Sequence, residues 1–336
     1  MKNYKVLLCD GEEGFVVALM NYMNRNQSIP ILAMAFTDVE QLMDYLKSHQ
    51  GDLIVINNKW RGDRILDSVS SIPVLWILEE ESSGQEGWIG DNYISKYSSA
   101  PAYSRRMLRI LSEQAVYRDG EGKGICMAVY SPLGRCGKTE LAHALCQAQT
   151  TIHTEFPDCK SIYIGMEEFG GVEDENHGME TLLYYIKQHI ANLSMKIKSL
   201  AVEAREYDSI VSSLTYQELR ELNREELRWF LDCIRKEGFY DLLVADIGSA
   251  SLTSLELLAE FDVIYLPYFH SEYSKQKIGA FCRGIKQYGL WESFSDKCYP
   301  ILWEKENGGV EKARMLEQKR KTGGLTTLEN FYKNVL

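Results

Sequence analysis

An apolar run, a glycine-bearing loop and an apolar-faced segment follow one another without a gap at 124–149: GICMAVYS, PLGRCGKT, ELAHALCQAQ. The unbroken first run predicts a buried strand, and Leu141, Ala144, Leu145 and Ala148 recur at helical spacing in the last. A helix entered directly from a strand presents its first backbone N–H groups to the loop before it. Those groups and the positive end of the helix can hold phosphate. The loop ends in Gly137-Lys138-Thr139. In a phosphate loop the lysine meets the β- and γ-phosphates, the hydroxyl ligates Mg²⁺, and the glycine lets the backbone approach closely. The common pattern G-x-x-x-x-G-K-[ST] places its first glycine at position 132, where this chain has Pro132. Two readings stand: a variant phosphate loop, or a helix that merely begins with Lys-Thr.

YDLLVADIGSA (240–250) predicts an apolar strand ending in Asp246-Ile247-Gly248. An aspartate there can hold Mg²⁺ through water, and Gly248 can offer its N–H to a γ-phosphate. The plain alternative is a turn cap after a strand. DVIYLPY (262–268) and CYPILWE (298–304) predict two more strands with a helix between them. Residues 178–239 read as helical, with a capping box Thr215-x-x-Glu218, a cap at Asn223, a stop at Gly238 and a core stripe of Leu227, Phe230, Leu231 and Ile234. The basic run KARMLEQKRK (312–321) reads as a solvated helix face, with contact to acidic lipid or a partner as the other reading.

Residues 4–115 alternate in the same way. Strands are predicted at KVLLCD (5–10), ILAMAF (31–36), DLIVINN (52–58), IPVLWILEE (72–80) and NYISKY (92–97). A helix follows the first strand, Thr37-Asp38-Val39-Glu40 predicts a capping box for a second helix stopped by Gly51, and a last helix covers 102–115. The polar, glycine-rich segment 116–123 predicts a linker. The organisation is therefore α/β, with domains at 1–115 and 124–336 built on mainly parallel sheets.

Five βα units in this order resemble the receiver domain of bacterial two-component signalling, a flavodoxin-like fold. That family keeps an acidic pair after the first strand, an acceptor aspartate after the third, a hydroxyl residue after the fourth and a lysine after the fifth. Those places hold Cys9-Asp10, Asn57, Leu78 and Lys96. An amide has no nucleophilic carboxylate oxygen and cannot form an acyl phosphate. The resemblance implies a degenerate receiver site, Asp10, Asn57 and Lys96, in a docking or dimerisation module. Asp10 and Lys96 also read as a solvated pair at the strand ends.

The second region resembles the MinD/ParA family of P-loop ATPases, whose deviant loop runs x-K-G-G-x-G-K-[ST]. Here the loop is Pro132-Leu133-Gly134-Arg135-Cys136 before Gly137-Lys138-Thr139. Gly134 lies where the family has a glycine; Leu133 replaces its signature lysine and Arg135 its next glycine. The resemblance implies ATP and Mg²⁺ as cofactors, with a nucleotide site of Gly134, Arg135, Cys136, Gly137, Lys138, Thr139, Glu140 and Gly248. Thr139 and, through water, Asp246 would serve the metal. The family's Asp-x-Asp falls on Gly165 and Glu167, leaving Asp246 and Glu167 as catalytic candidates; Glu167 and Glu168 also read as a solvated loop. Adenine would sit near Trp303 to Asn307. The two regions in this order are similar to the TadZ/CpaE family of Tad/Flp pilus assembly. That implies a nucleotide-switched homodimer formed through the ATPase domain, hydrolysing weakly and positioning pilus or other polar machinery.

Composition narrows these expectations. A net charge of −11 argues against a general nucleic-acid binder. No C-x-x-C occurs among the eight cysteines and several lie inside apolar runs, so they read as reduced, mostly packed thiols, and zinc is not expected. The first apolar run is too short for a signal peptide, the C-terminal TTLENFYKNVL too short for an anchor, and no stretch has transmembrane length. A cytoplasmic protein recruited to membrane or pole by partners is expected. A non-hydrolysing nucleotide-binding scaffold is the rival reading, and a receiver-linked transcriptional activator a third; that third reading lacks a strand ending in Asp-Glu and an evident DNA reader.

Overall fold

The computed structural model describes residues 4–26, 29–61, 72–79, 92–114, 124–152, 160–166, 178–203, 206–210, 220–237, 239–249, 252, 254–303 and 309–335. The chain divides into two compact units, Met1–Val116 and Tyr117–Leu336. The expected linker at 116–123 lies outside the described residues.

The first unit alternates β1 (Tyr4–Cys9), α1 (Glu13–Arg25), β2 (Ile31–Phe36), α2 (Val39–Leu46), β3 (Leu53–Asn57), a 3₁₀ turn at Asn58–Trp60, β4 (Val74–Leu78), β5 (Tyr93–Ser95) and α3 (Ala100–Gln114). The strands form one parallel sheet in the order β2-β1-β3-β4-β5. This doubly wound order reverses between β1 and β3, which makes the carboxyl ends of those strands the crevice where such sheets bind ligands. Leu7 and Cys9 from β1, Ile54 and Ile56 from β3, and Val39 and Leu42 from α2 bury together. Two local expectations need correction. Asp38, not Thr37, caps α2: its extended backbone lets its side chain accept the Glu40 N–H. Gly51 does not stop that helix, which ends at Leu46. A Cβ at Gly51 would lie 2.7 Å from Leu7 Cδ1, so the residue makes room for the core.

The second unit contains β6 (Ile125–Tyr130), α4 (Lys138–Ile152), β7 (Ser161–Met166), α5 (Gly178–Lys187), α6 (Leu193–Leu200), β8 (Val202–Glu203), β9 (Asp208–Ile210), α7 (Arg224–Glu237), β10 (Leu242–Ile247), a 3₁₀ segment Leu255–Glu260, β11 (Val263–Tyr268), α8 (Glu272–Gln287), α9 (Trp291–Phe294), β12 (Cys298–Leu302), α10 (Gly309–Lys321) and α11 (Leu328–Val335). Its sheet runs β12-β11-β6-β10-β7-β9-β8, with β8 antiparallel to β9 and the remaining pairs parallel. The chain reaches the far side of β6 only after β10, so the strand order reverses around β6 and the loop that leaves it. The core combines Met127, Val129, Leu141, Leu145, Val244 and Tyr265 with Trp303.

The stretch 178–239, expected to be helical, also holds the short strands β8 and β9. Asn223 caps α7 reciprocally: its Oδ1 accepts the Glu226 N–H, and Glu226 Oε2 accepts the Asn223 N–H, both at 2.9 Å. The α7 stripe Leu227, Phe230, Leu231 and Ile234 is buried. Thr215, Glu218 and Gly238 lie outside the described residues. The basic run 312–321 is not simply a solvated face, because Ala313 and Glu317 on α10 are fully buried. The Glu317 carboxylate accepts the Tyr265 hydroxyl and pairs with Arg320 at 2.8 Å. Its burial is supported because both partners hydrogen-bond it. The seven described cysteines are buried free thiols. No helix among the described residues is long and apolar enough to cross a membrane.

Candidate functional site

The loop leaving β6 is tied down before it turns. The Ser131 hydroxyl donates to the Pro267 carbonyl at 2.8 Å, and its oxygen accepts the Leu133 N–H at 3.2 Å. Leu133 is buried and therefore a packing residue of the loop. Cys136 is buried beside it, its thiol 3.5 Å from the Leu133 carbonyl. Gly134 and Arg135 are exposed. Arg135 (φ 57°) and Gly137 (φ 79°) both have left-handed backbone. At Gly137 no side chain would fit, since a Cβ would come 2.5 Å from Trp303 Cδ1. At Arg135 the strain is borne by a residue with a Cβ. Among the described residues Arg135 makes no ion pair.

Helix α4 opens with buried Lys138, and Gly137 O accepts its first backbone bond from Leu141 N–H at 2.9 Å. The next side chain, Thr139, meets the end of β10: its hydroxyl donates to Asp246 Oδ2 at 2.6 Å. This contact follows from topology, because β6 and β10 are adjacent and register Val129 beside Asp246. A hydroxyl has one proton and two lone pairs. With its proton given to Asp246, Thr139 has lone-pair density left for a cation. Oxygen donors of this kind suit Mg²⁺, and the helix N-terminus suits the phosphates it accompanies. The residues present therefore fit Mg²⁺-nucleotide.

The other expected site residues are placed less simply. Asp246 is 1% exposed and also accepts the Tyr163 hydroxyl at 3.1 Å. The Gly248 N–H faces the Met166 carbonyl at 3.4 Å, so in this structure it is directed at β7. Glu140 lies half-buried in the first turn of α4. Gly165 stands directly opposite Asp246 on β7 and offers no carboxylate. Glu167, Glu168 and Asn307 lie outside the described residues. Sequence reasoning missed Trp303 as the wall behind Gly137, and it missed an aromatic group beside Asp246. There His143 of α4 stacks on Tyr163 (centroids 4.1 Å apart, planes at 21°), and Tyr207 OH lies 2.8 Å from His143 Nδ1. Burial lowers the His143 pKa, which favours the neutral ring.

In the first unit, Asp10, Asn57 and Lys96 converge at the β1/β3 end of the sheet. Asn57 Nδ2 donates to Asp10 Oδ2 at 2.7 Å and to Glu79 Oε1 at 2.9 Å. Lys96 Nζ reaches Asp10 Oδ1 and Glu12 Oε2, each at 3.0 Å. Asp10 is 1% exposed and the Lys96 side chain 11%, so the reading of these two as a solvated pair does not hold. Burial alone would raise the Asp10 pKa; hydrogen bonds from Asn57, the Glu12 N–H and Lys96 outweigh it and hold the carboxyl below its ordinary range. Glu79 and Glu12 were not among the expected residues. Leu78 supplies no hydroxyl at the end of β4. Acetyl phosphate with Mg²⁺ is therefore expected to leave residues 1–115 unmodified by intact mass; a stoichiometric acid-labile adduct there would contradict this chemistry.

No family model and no curated protein matches the chain. Among solved structures, it is similar to a ParA family ATPase from Chlorobium tepidum TLS, at 14% identity and a TM-score of 0.40, covering 62% of this chain and 92% of that one. A plasmid partition protein from Borrelia burgdorferi aligns at 16% identity and a TM-score of 0.40, covering 60% and 99%. A cobyrinic acid a,c-diamide synthase from Mycobacterium smegmatis, with bound ADP and magnesium, aligns at 13% and 0.37, covering 59% and 82%. At these identities and scores, neither an activity nor a family passes from those structures to this chain.

Proposed function

We propose that the second unit is a MinD/ParA-type ATPase that binds Mg²⁺-ATP, dimerises on it and hydrolyses it slowly. The observation that carries this reading is the Thr139–Asp246 contact at the start of a helix entered from a parallel strand. Lys138 would neutralise the β- and γ-phosphates, Thr139 would ligate the metal, and Asp246 would hold it through water. Bound Mg²⁺ neutralises charge on the phosphate oxygens. Slow hydrolysis follows from what surrounds Asp246. Gly165 places no acid opposite it, and Asp246 Oδ2 already accepts two hydroxyl protons, which makes that oxygen a poor base. The same observations favour a second reading, a scaffold that binds nucleotide without hydrolysis. Single-turnover assays with radiolabelled ATP separate the two: slow phosphate release supports the first, none the second.

Residues 1–115 would then be a receiver-like module without phosphorylation, joined by a linker at 116–123 to the ATPase domain at 124–336. Its closed Asp10–Asn57–Lys96 site suits a docking surface rather than a phosphate sensor. The order of the two domains supports a TadZ/CpaE-like role: a cytoplasmic, nucleotide-switched dimer recruited to membrane or pole, positioning pilus machinery.

Arg135 tests the dimer. Leu133 is packed away and cannot carry charge to a partner. Arg135, two residues on, is exposed and free of ion pairs among the described residues. A guanidinium so placed can bind the partner copy's phosphates. Arg135→Ala is expected to leave monomer ATP affinity within about twofold while weakening ATP-dependent dimerisation about tenfold, the loss of one charge-assisted contact. Analytical ultracentrifugation with a non-hydrolysable ATP analogue measures it; dimerisation as tight as wild type would remove Arg135 from the interface.

A further inference from the structure

Asp246 is held from two sides. Thr139 gives its proton to Oδ2 from the start of α4, and Tyr163 gives a second proton to the same oxygen from β7. A carboxylate oxygen has two lone-pair directions. Two donors on one oxygen therefore set both the position of the group and the plane in which it lies. The second donor narrows the last torsion of the carboxylate, whose minima are broad and shallow.

The register explains how a residue displaced along the neighbouring strand reaches this place. Tyr163 pairs with Val244, two residues before Asp246, and Gly165 pairs with Asp246 itself. Residues 163 and 165 share a face of β7. Gly165 adds no side chain on that face, and the Tyr163 phenol runs along the strand to Asp246 in its stead. The ring is fixed in turn: His143 stacks on it, and Tyr207 bonds His143. His143 and Thr139 both belong to α4, so the phosphate-loop helix fixes Asp246 once directly and once through this aromatic stack.

Resting on the Mg²⁺-nucleotide reading above, we infer that Tyr163 is a positioning residue for the metal, orienting the Asp246 carboxylate that would hold the metal's water. Its hydroxyl acts through Asp246. Its loss should weaken the contribution of Mg²⁺ to nucleotide binding while leaving metal-free phosphate binding, the work of Lys138 and the loop backbone, in place.

The test titrates full-length wild type and Tyr163→Phe with a fluorescent ATP analogue, once in excess Mg²⁺ and once in EDTA. The ring and its stack on His143 remain in the variant; only the hydroxyl is lost. Tyr163→Phe should bind about fivefold more weakly than wild type in Mg²⁺, the cost of ordering a carboxylate that the hydroxyl no longer holds in the free protein, and within about twofold of wild type in EDTA. An equal loss in both media would mark a structural role and overturn the inference. Unchanged affinity in both would overturn it while leaving the Mg²⁺-nucleotide reading intact. Failure of wild type to bind in either medium would overturn both. Circular dichroism melts of the two proteins, with Tyr163→Phe expected to melt cooperatively and several °C lower for one lost hydrogen bond to a buried carboxylate, establish that the variant is folded at the titration temperature.

Discussion

Gly137→Ala is expected to lower the melting temperature of the second unit by roughly 5–15 °C and to abolish measurable Mg²⁺-ATP affinity. Two costs add. The backbone at 137 is left-handed (φ 79°), which an L-residue adopts at about 1–2 kcal/mol. The new Cβ would also lie 2.5 Å from Trp303 Cδ1 and 3.0 Å from its Nε1. Trp303 is buried, so it cannot swing clear, and such overpacking costs about 1–3 kcal/mol. The loop must move to relieve the clash, and it carries Lys138 with it. Calorimetric melting and an ATP titration read the two effects. A second variant, Gly137→Ala with Trp303→Leu, should recover part of the stability by making space but not the part owed to the backbone. Full recovery would mean that the left-handed backbone costs nothing; a single variant as stable as wild type would refute the clash.

Lys138→Ala is the other large effect. The ammonium is buried at the mouth of α4, beside helix N–H groups that already draw negative charge. Removing it costs one or more charge-assisted contacts to phosphate, about 1.5–3 kcal/mol, or roughly 10–150-fold in affinity. Thr139→Ala removes a neutral ligand and one hydrogen bond to Asp246, so its loss should be smaller, about tenfold, and confined to Mg²⁺. Titration of each variant with and without Mg²⁺ ranks them. A larger loss for Thr139 than for Lys138 would contradict the assignment of the phosphate charge to the lysine.

Much of the fold was legible because its signals are local. Buried parallel strands such as LLVADI are apolar at nearly every position, and both sheets were anticipated from such runs. The convergence of Thr139 on Asp246 was legible only as two separate motifs; their contact depends on β10 lying beside β6, which no single segment encodes. Short elements escaped. β8 and β9 have two and three residues, too few to show a period of two. Thr37 and Asp38 can both cap a helix, and the choice fell to the residue whose side chain meets the Glu40 N–H. Glu317 was hidden inside a basic run. Its burial depends on Tyr265 from a distant strand, although the i, i+3 spacing to Arg320 already offered it a partner. Tyr163 was hidden in a different way. A tyrosine inside SIYIGM reads as one more strand residue, and only the register across to Asp246 gives its hydroxyl a task. Asn57 was read as a lost acceptor; the structure adds that its amide joins two carboxylates, Asp10 and Glu79.

Isothermal titration of the full chain with ATP, in Mg²⁺ and in EDTA, with Lys138→Ala run in parallel, tests the central claim most directly. The geometry predicts saturable binding of one nucleotide per chain, tighter in Mg²⁺ because Thr139 and Asp246 then both engage the metal, and an isotherm for Lys138→Ala shifted by at least about tenfold. Absence of saturable binding by wild type, or superimposable isotherms for wild type and Lys138→Ala, would contradict the assignment of 131–139 as a nucleotide site.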